Sequence, residues 1–343
     1  MIAIIADDFS GAAELAGIAA ACGFKSEVQT RFDPSSEAEV IAVDTDTRLK
    51  SEAEAAQIVK DVTRRIMAAG PSWIYKKTDS VMRGHIRVEI EAILDAASLN
   101  ECVFIPANPS KGRVIRNGGY FVNEVPLHQT VFASDPDFPR HTSNVRALLG
   151  GSERILTPDA TMLDDLRVEL SSQTLAAGAA DFFAARLESS LGFNPNPPPS
   201  IGLKPKLLLL LCGSLAAWDT GRAAQMAERG FVVQTLEEAV SPAIWQSTSK
   251  LMLAIGRPET ADSAGLTEKL IETALPLLSG TQYDLRVGLE GGATAMAFIR
   301  RMGWTRLEVI PEGHVGVGSL RPHGGPLLCV KPGSYEWPLT LFR

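Results

Sequence analysis

The stretch that most constrains this chain is Met1-Ile-Ala-Ile-Ile-Ala-Asp-Asp-Phe-Ser-Gly-Ala-Ala-Glu14 with its apolar continuation to Gly23. Ile2 to Ala6 reads as a short buried strand, and from Ala12 onward Leu15, Ile18 and Ala19 recur at helical spacing. In an open α/β sheet, ligands collect beyond the carboxyl ends of the strands. Asp7, Asp8 and Ser10 therefore stand where a substrate or a metal could be held. Gly11 permits a sharp turn, and the free N–H groups of the following helix attract anions. A plain helix cap at Asp8 or Ser10 accounts for the same residues without any function.

The arrangement of strand, polar end and helix recurs. Ser26 to Thr30 and Val40 to Val43 predict strands, the second ending in Asp44-Thr-Asp-Thr-Arg48. Ser51 to Ala69 predicts an amphipathic helix with Ala55, Ile58, Val62 and Ile66 on its buried face. Trp73 to Tyr75 predicts a strand running into Lys76-Lys77-Thr-Asp79-Ser80-Val-Met-Arg83-Gly84, the densest polar cluster in the chain. Beyond it Ile86, Ile90, Ile93 and Leu94 mark a helical face. Cations near a helix N-terminus oppose its dipole, so Lys77 and Arg83 point to an anionic ligand, while an Asp79–Arg83 ion pair is the structural alternative.

Cys102 to Ile105 predicts a further strand, followed by Pro106-Ala-Asn-Pro-Ser110-Lys111-Gly112-Arg113. Val114 to Leu127 reads as a hairpin and Gln129 to Asn144 as a long loop, of a length that is often functional. Helices are expected around Met162 to Gln173 and Ala179 to Leu191. The proline-rich run Gly192 to Gly202 is the expected domain boundary, dividing the 343 residues into 1–198 and 199–343.

The second half reads as its own α/β unit. Leu207 to Leu211 predicts a strand ending in Cys212-Gly213-Ser214, with a helix to about Arg229. Val232 to Leu236 and Lys250 to Ile255 predict strands, and Leu266 to Leu278 a helix. Leu285 to Leu289 leads into Glu290-Gly291-Gly292-Ala293-Thr294 and a helix from about Ala295; Leu327 to Val330 leads into Lys331-Pro-Gly333. Glycines between a strand and a helix N-terminus let phosphate oxygens approach the backbone, although singly they mean a tight turn. The expected fold class is therefore α/β, two domains, each with a mostly parallel sheet flanked by helices.

Composition narrows the function. With 33 basic against 40 acidic residues there is no basic face for nucleic acid. The apolar run at Leu207 to Leu211 is far shorter than the roughly 20 residues a spanning helix needs. No basic region precedes the N-terminal apolar run, so a cytoplasmic protein is expected, with self-association left open. Cys22, Cys102, Cys212 and Cys329 are scattered among apolar neighbours, and the five histidines make no metal-ligand pair. No G-x-x-x-x-G-K-[ST] occurs, and Gly313, Gly316 and Gly318 do not match a dinucleotide fingerprint.

Several stretches together resemble one family. Ala6-Asp-Asp-Phe-Ser-Gly-Ala-Ala-Glu14, Tyr75-Lys-Lys-Thr-Asp-Ser-Val-Met-Arg-Gly84, Pro106 with Gly112-Arg113, Gly291-Gly-Ala-Thr294 and Lys331-Pro-Gly333 are similar, in order and spacing, to the four-carbon acid sugar kinases. The resemblance implies an N-terminal sugar-acid domain, a C-terminal nucleotide domain, and phosphorylation of a threonate, erythronate or 3-oxo-tetronate hydroxyl by ATP with Mg2+ in the cleft between them. It assigns Asp8, Lys77 and Asp79 to catalysis and Asp7, Ser10, Ser80, Arg83 and Arg113 to the substrate. It assigns Ser214, Gly291, Gly292, Ala293, Thr294 and Gly333 to the nucleotide. The chain departs from the family pattern at Leu215 and Ala216, where a serine is common, and at Tyr335-Glu-Trp337. A sugar-acid sensor that keeps the fold without catalysis is the alternative. A hydroxy-acid dehydrogenase lacks its fingerprint, and a phosphatase nucleophile at Asp7 or Asp8 lacks the usual second acid two positions on.

Overall fold

The computed structural model describes residues 1–135, 137–191, 205–214, 218, 221–237, 245, 248–257, 263–278, 284–311, 317–331, 336–338 and 341–342. The chain divides into two compact units, Met1–Asn196 and Pro197–Arg343.

In the first unit, β1 (Ile2–Ala6), β2 (Ser26–Gln29), β3 (Val40–Asp44), β4 (Trp73–Lys77), β5 (Glu101–Ile105), β9 (Ile155–Leu156) and β10 (Thr174–Gly178) form a parallel sheet in the order β2-β3-β1-β4-β10-β5-β9. β6 (Arg113–Arg116), β7 (Gly119–Val122) and β8 (Val125–Pro126) make a small antiparallel sheet. The helices are α1 (Phe9–Ala21), α2 (Glu52–Ala68), α3 (Ile86–Ala97), the single turn α4 (Val145–Leu148) and α5 (Ala180–Leu191). From β1 the chain first moves to one side of the sheet, to β2 and β3, and then to the other side, to β4. The direction therefore reverses at β1, which is where an open parallel sheet leaves a crevice beyond its strand ends.

Local chemistry explains these elements. β1 is buried along its whole length, as a central parallel strand must be. Asp8 caps α1, its Oδ1 accepting from Gly11 N at 3.0 Å. Ser51 and Glu54 form a reciprocal capping box on α2. On α2 the fully buried stripe is Ala55, Val59, Thr63 and Ile66, while Ile58 and Val62 are half-buried. α3 packs against α2, and the apolar face it covers is wider than a single i, i+4 row, so Ile58 and Val62 sit on its flank.

The helix expected over 162–173 is absent. Leu163–Leu166 is one 3-10 turn, and β10 follows, inserted between β4 and β5. β10 reads Thr-Leu-Ala-Ala-Gly, with a single β-branched residue at its start, so it lacks the run of branched and aromatic residues that marks a strand. A Cβ at Gly178, where φ is 152°, would lie 2.0 Å from the Ile105 carbonyl oxygen.

In the second unit β11 (Leu207–Cys212), β12 (Val232–Thr235), β13 (Lys250–Ala254), β14 (Leu285–Glu290), β15 (Arg306–Val309), β16 (Gly318–Pro322) and β17 (Leu327–Lys331) form a mixed sheet in the order β12-β13-β11-β14-β17-β16-β15. The first five strands of that order run parallel, and β16 and β15 are antiparallel to their neighbours. Helices α6 (Arg222–Glu228), α7 (Ser263–Ala274) and α8 (Gly292–Arg301) accompany it. Leu208, Leu210, Met226, Phe231, Met252, Trp337 and Phe342 belong to a core of its own. The proline-rich run, most of the segment between Ser214 and Arg222, Gly313, Gly316 and Gly333 lie outside the described residues.

Candidate active site at the strand ends of the first unit

β1, β3 and β4 end side by side, so Asp7, Asp8, Asp44 and Lys77 arrive at one edge of the sheet. Strand alternation separates the two adjacent lysines. Lys76 points to one face and pairs with the buried Glu89 at 2.5 Å, while Lys77 points to the other, toward Glu14 of α1 at 3.5 Å. Lys77 Nζ also donates to the Thr78 carbonyl at 3.0 Å.

Arg48, which follows β3, is the hub. Its Nε donates to Asp7 Oδ2 at 2.7 Å, its Nη1 to Asp8 Oδ2 at 3.1 Å, and its Nη2 lies 3.0 Å from Asp8 Oδ1. Asp79 Oδ2 stands 3.8 Å from Arg48 Nη1 and accepts from Arg83 Nη2 at 2.7 Å. Asp79 Oδ1 accepts from the backbone N–H groups of Val81 and Arg83 at 2.9 and 3.3 Å, closing the turn that follows β4. Arg83 also reaches Asp135 at 3.7 Å. Ser10 Oγ donates to Asp8 Oδ2 at 2.5 Å.

On the flank, Lys111 Nζ donates to Glu14 at 2.9 Å, and Arg113 Nη1 donates to Ser80 Oγ. The Tyr120 hydroxyl donates to the Ser80 carbonyl and to the Pro106 carbonyl, the latter at 3.1 Å. The structure thus brings Asp7, Asp8, Ser10, Lys77, Asp79 and Arg83 into one network, with Ser80 and Arg113 beside it.

The electrostatics follow. Burial pushes the Asp8 carboxyl up, but Arg48, Lys77 and the Ser10 hydroxyl outweigh it and hold the group below its ordinary value. Burial likewise opposes ionisation of Asp79, and Arg83 and Arg48 overcome it by a wide margin. Among the described residues no cation pairs with Asp44, so burial, against one backbone hydrogen bond and with the nearby acids Asp46, Asp8 and Asp7, drives it well above the usual carboxylate range.

The second candidate group lies wholly in the second unit. Gly213, after β11, meets the first turn of α8: a Cβ on it would lie 2.0 Å from Thr294 Oγ1, and Ser214 is the next residue in the chain. Gly291 has φ 106° and precedes α8, whose first turn, Gly292, Ala293 and Thr294, has no side-chain cap. Thr294 itself is buried. Beneath them the buried Glu290 accepts from Arg222 Nε at 2.9 Å and Lys331 Nζ at 2.5 Å. Arg222 also pairs with Glu336, so these buried charges are balanced, and it is the uncapped amides at the start of α8 that suit a phosphate.

No described residues form a metal cage: no group of three or more His, Cys, Asp and Glu side chains is placed to hold an ion. At the strand ends the carboxylates turn toward Arg48 and Arg83 instead.

A family model for a sugar-binding N-terminal domain matches residues 2–183. The chain belongs to that family. It is the family whose motifs the sequence resembles. A D-threonate kinase of Bordetella bronchiseptica is 27% identical over 364 residues, 93% of this chain and 90% of that relative. A D-erythronate kinase of Heliobacterium modesticaldum is 31% identical over 159 residues, 45% of this chain and 36% of the relative. A solved Haemophilus influenzae protein, 19% identical, matches the fold over 97% of each chain with a TM-score of 0.74. The family match spans the first unit's switch point and its whole charged network.

Arg48, Glu14, Lys111, Asp135 and Arg140 escaped the sequence-based candidate set. Arg48 closes the polar stretch after β3, Glu14 ends the first motif, and Asp135 and Arg140 belong to the long loop. A rule that collected every charged residue following a parallel strand would have found Arg48 and Lys111.

Proposed function

We propose that the chain is an ATP-dependent kinase that phosphorylates a hydroxyl of a four-carbon sugar acid. One observation carries the reading. Among the described residues, Asp7 Oδ1, Asp44 Oδ2, Thr78 Oγ1, Arg83 Nε and two nitrogens of Arg140 are all buried without a hydrogen-bond partner, and all belong to the loops and strand ends around the switch point. Buried polar groups are normally satisfied, so such a concentration is the footprint of a polyhydroxylated, charged ligand. The kinase names of the relatives supply the reaction type.

The free Asp7 Oδ1 is the acceptor for the reacting hydroxyl, its other oxygen being held by Arg48. Asp8 has both oxygens engaged and acts by fixing Arg48 and the start of α1. Lys77, Arg83 and Arg113 supply positive charge toward the bound acid and the transferring group. Phosphoryl transfer rests chiefly on such positioning and charge neutralisation. ATP is the donor, held by the Gly291–Thr294 turn. Mg2+ travels with the nucleotide phosphates and water, since Mg2+ keeps much of its hydration shell and needs few protein ligands.

ADP release across a panel of D-threonate, D-erythronate and their 3-oxo forms tests the proposal. Turnover with one acid, reduced about 10²- to 10⁴-fold in kcat by Asp7→Asn, is expected. A protein that is thermally stabilised by an acid but never releases ADP would instead be a sugar-acid sensor.

A further inference from the structure

Arg140 differs from the ion-paired cations of the strand-end network and, being buried, from the half-buried Arg113, whose Nη1 donates to Ser80 Oγ. Arg48 pairs with Asp7 and Asp8, Arg83 with Asp79 and Asp135, and Lys77 and Lys111 with Glu14. Arg140 has no carboxylate partner among the described residues, although it is only 8% exposed. Its Nε and Nη2 are buried without an acceptor. The segment that delivers it is anchored: Ser143 accepts from Tyr120 N at 2.7 Å, and its hydroxyl lies 2.7 Å from His128 Nδ1. The guanidinium carbon sits 5.8 Å from the centroid of the Phe138 ring, which covers an apolar side but accepts no N–H in the plane. The charges that act on it are Asp79, Asp135 and Arg83, so it belongs to the same cluster. Burial outweighs the two acids and pushes the group below its ordinary value, as expected of a cation whose counter-charge is missing.

A buried guanidinium without an anion is costly, and two adjacent N–H groups directed at nothing match the two oxygens of a carboxylate. Resting on the kinase reading above, we propose that Arg140 receives the carboxylate of the sugar-acid substrate and so selects acids over uncharged polyols. Arg83 and Lys77, already committed to Asp79 and Glu14, then act on the rest of the ligand. Arg140 is thus a specificity residue contributed by the long loop, not by the strand-end motifs.

The test compares the wild-type protein, Arg140→Lys and Arg140→Met by calorimetric titration and thermal melting with D-threonate, D-erythronate, erythritol and inorganic phosphate. Wild type is expected to bind one acid well and erythritol weakly. Arg140→Met should lose about 10- to 100-fold in affinity for the acid, with erythritol and phosphate unchanged and Arg140→Lys intermediate. In turnover the KM for the acid should rise while the KM for ATP stays constant. Without ligand, Arg140→Met should melt at or above the wild-type temperature, because an uncompensated buried charge is gone; a purely structural arginine would lower it.

Equal acid binding by wild type and Arg140→Met would overturn the assignment and leave the kinase reading standing. Selective loss of phosphate binding would also overturn it. If wild type turned over no acid but bound one through Arg140, the kinase reading would fall and the carboxylate receptor would remain.

Discussion

Arg48 holds together a cluster that would otherwise repel itself, since Asp7, Asp8 and Asp79 crowd one edge of the sheet. Removing it leaves three largely buried carboxylates short of their counter-charge. Arg48→Met is therefore expected to cost about 3 to 5 kcal/mol of stability, read from urea unfolding. The pH dependence has two opposing parts. Asp8, Glu14 and Asp79 are held below their ordinary values in the folded chain. Their contribution is complete above the unfolded carboxylate range of about pH 4 and is lost as pH falls through the depressed folded values. Asp44 has the reverse sign: its folded value is raised, so its contribution is complete below about pH 4 and is lost as pH rises. Asp44→Asn keeps an oxygen to accept the Asp46 N–H, bonded at 2.9 Å in the wild type, and cannot ionise. It should stabilise the protein by on the order of 1 to 3 kcal/mol at pH 7, with the gain vanishing near pH 4. A gain that persisted unchanged to pH 4 would rule out ionisation as its source.

At the scale of elements, the parallel sheet of the first unit depends on how closely β10 fits between β4 and β5. Gly178→Ala would drive a methyl into the Ile105 carbonyl and force a residue with a side chain to φ 152°. A loss of more than about 2 kcal/mol is expected, with the soluble yield falling. Gly17 is the counterpart. It lies inside α1 with nothing within 4 Å of an added Cβ, so Gly17→Ala should gain about 0.5 to 1 kcal/mol through the unfolded chain. Guanidinium melts of the two variants, opposite in sign, check both. The composition of β10 explains why it was illegible. Ala176 and Ala177 are buried, and such small residues carry neither strand propensity nor hydrophobic alternation. β1 and most of β3 were legible because fully buried parallel strands read as continuous apolar runs, and β4 through its apolar start at Trp73 to Tyr75.

For the whole molecule, each unit is compact and buries apolar residues of its own. Two transitions are expected in calorimetry. Under the proposed division of labour, the sugar acid should raise one and ATP the other. A single cooperative transition that both ligands shift together would show that the units do not unfold independently.

Local patterning in the chain was enough to read the alternation of most buried strands and helices, the polar residues at the strand ends, and family membership through its motifs. Those signals depend on neighbours within a few residues, which is why the place of Asp7, Asp8, Lys77, Asp79 and Arg83 after strands could be read from the chain. The pairing of their charges was set in three dimensions by the fold. The fold placed Arg48 among three acids, turned Lys76 away to Glu89 while Lys77 faced Glu14, and left Arg140 without a paired carboxylate among the described residues. Coulomb interactions and desolvation depend on distances through space, and residues 7, 48, 79 and 140 become neighbours only when the strands align in register.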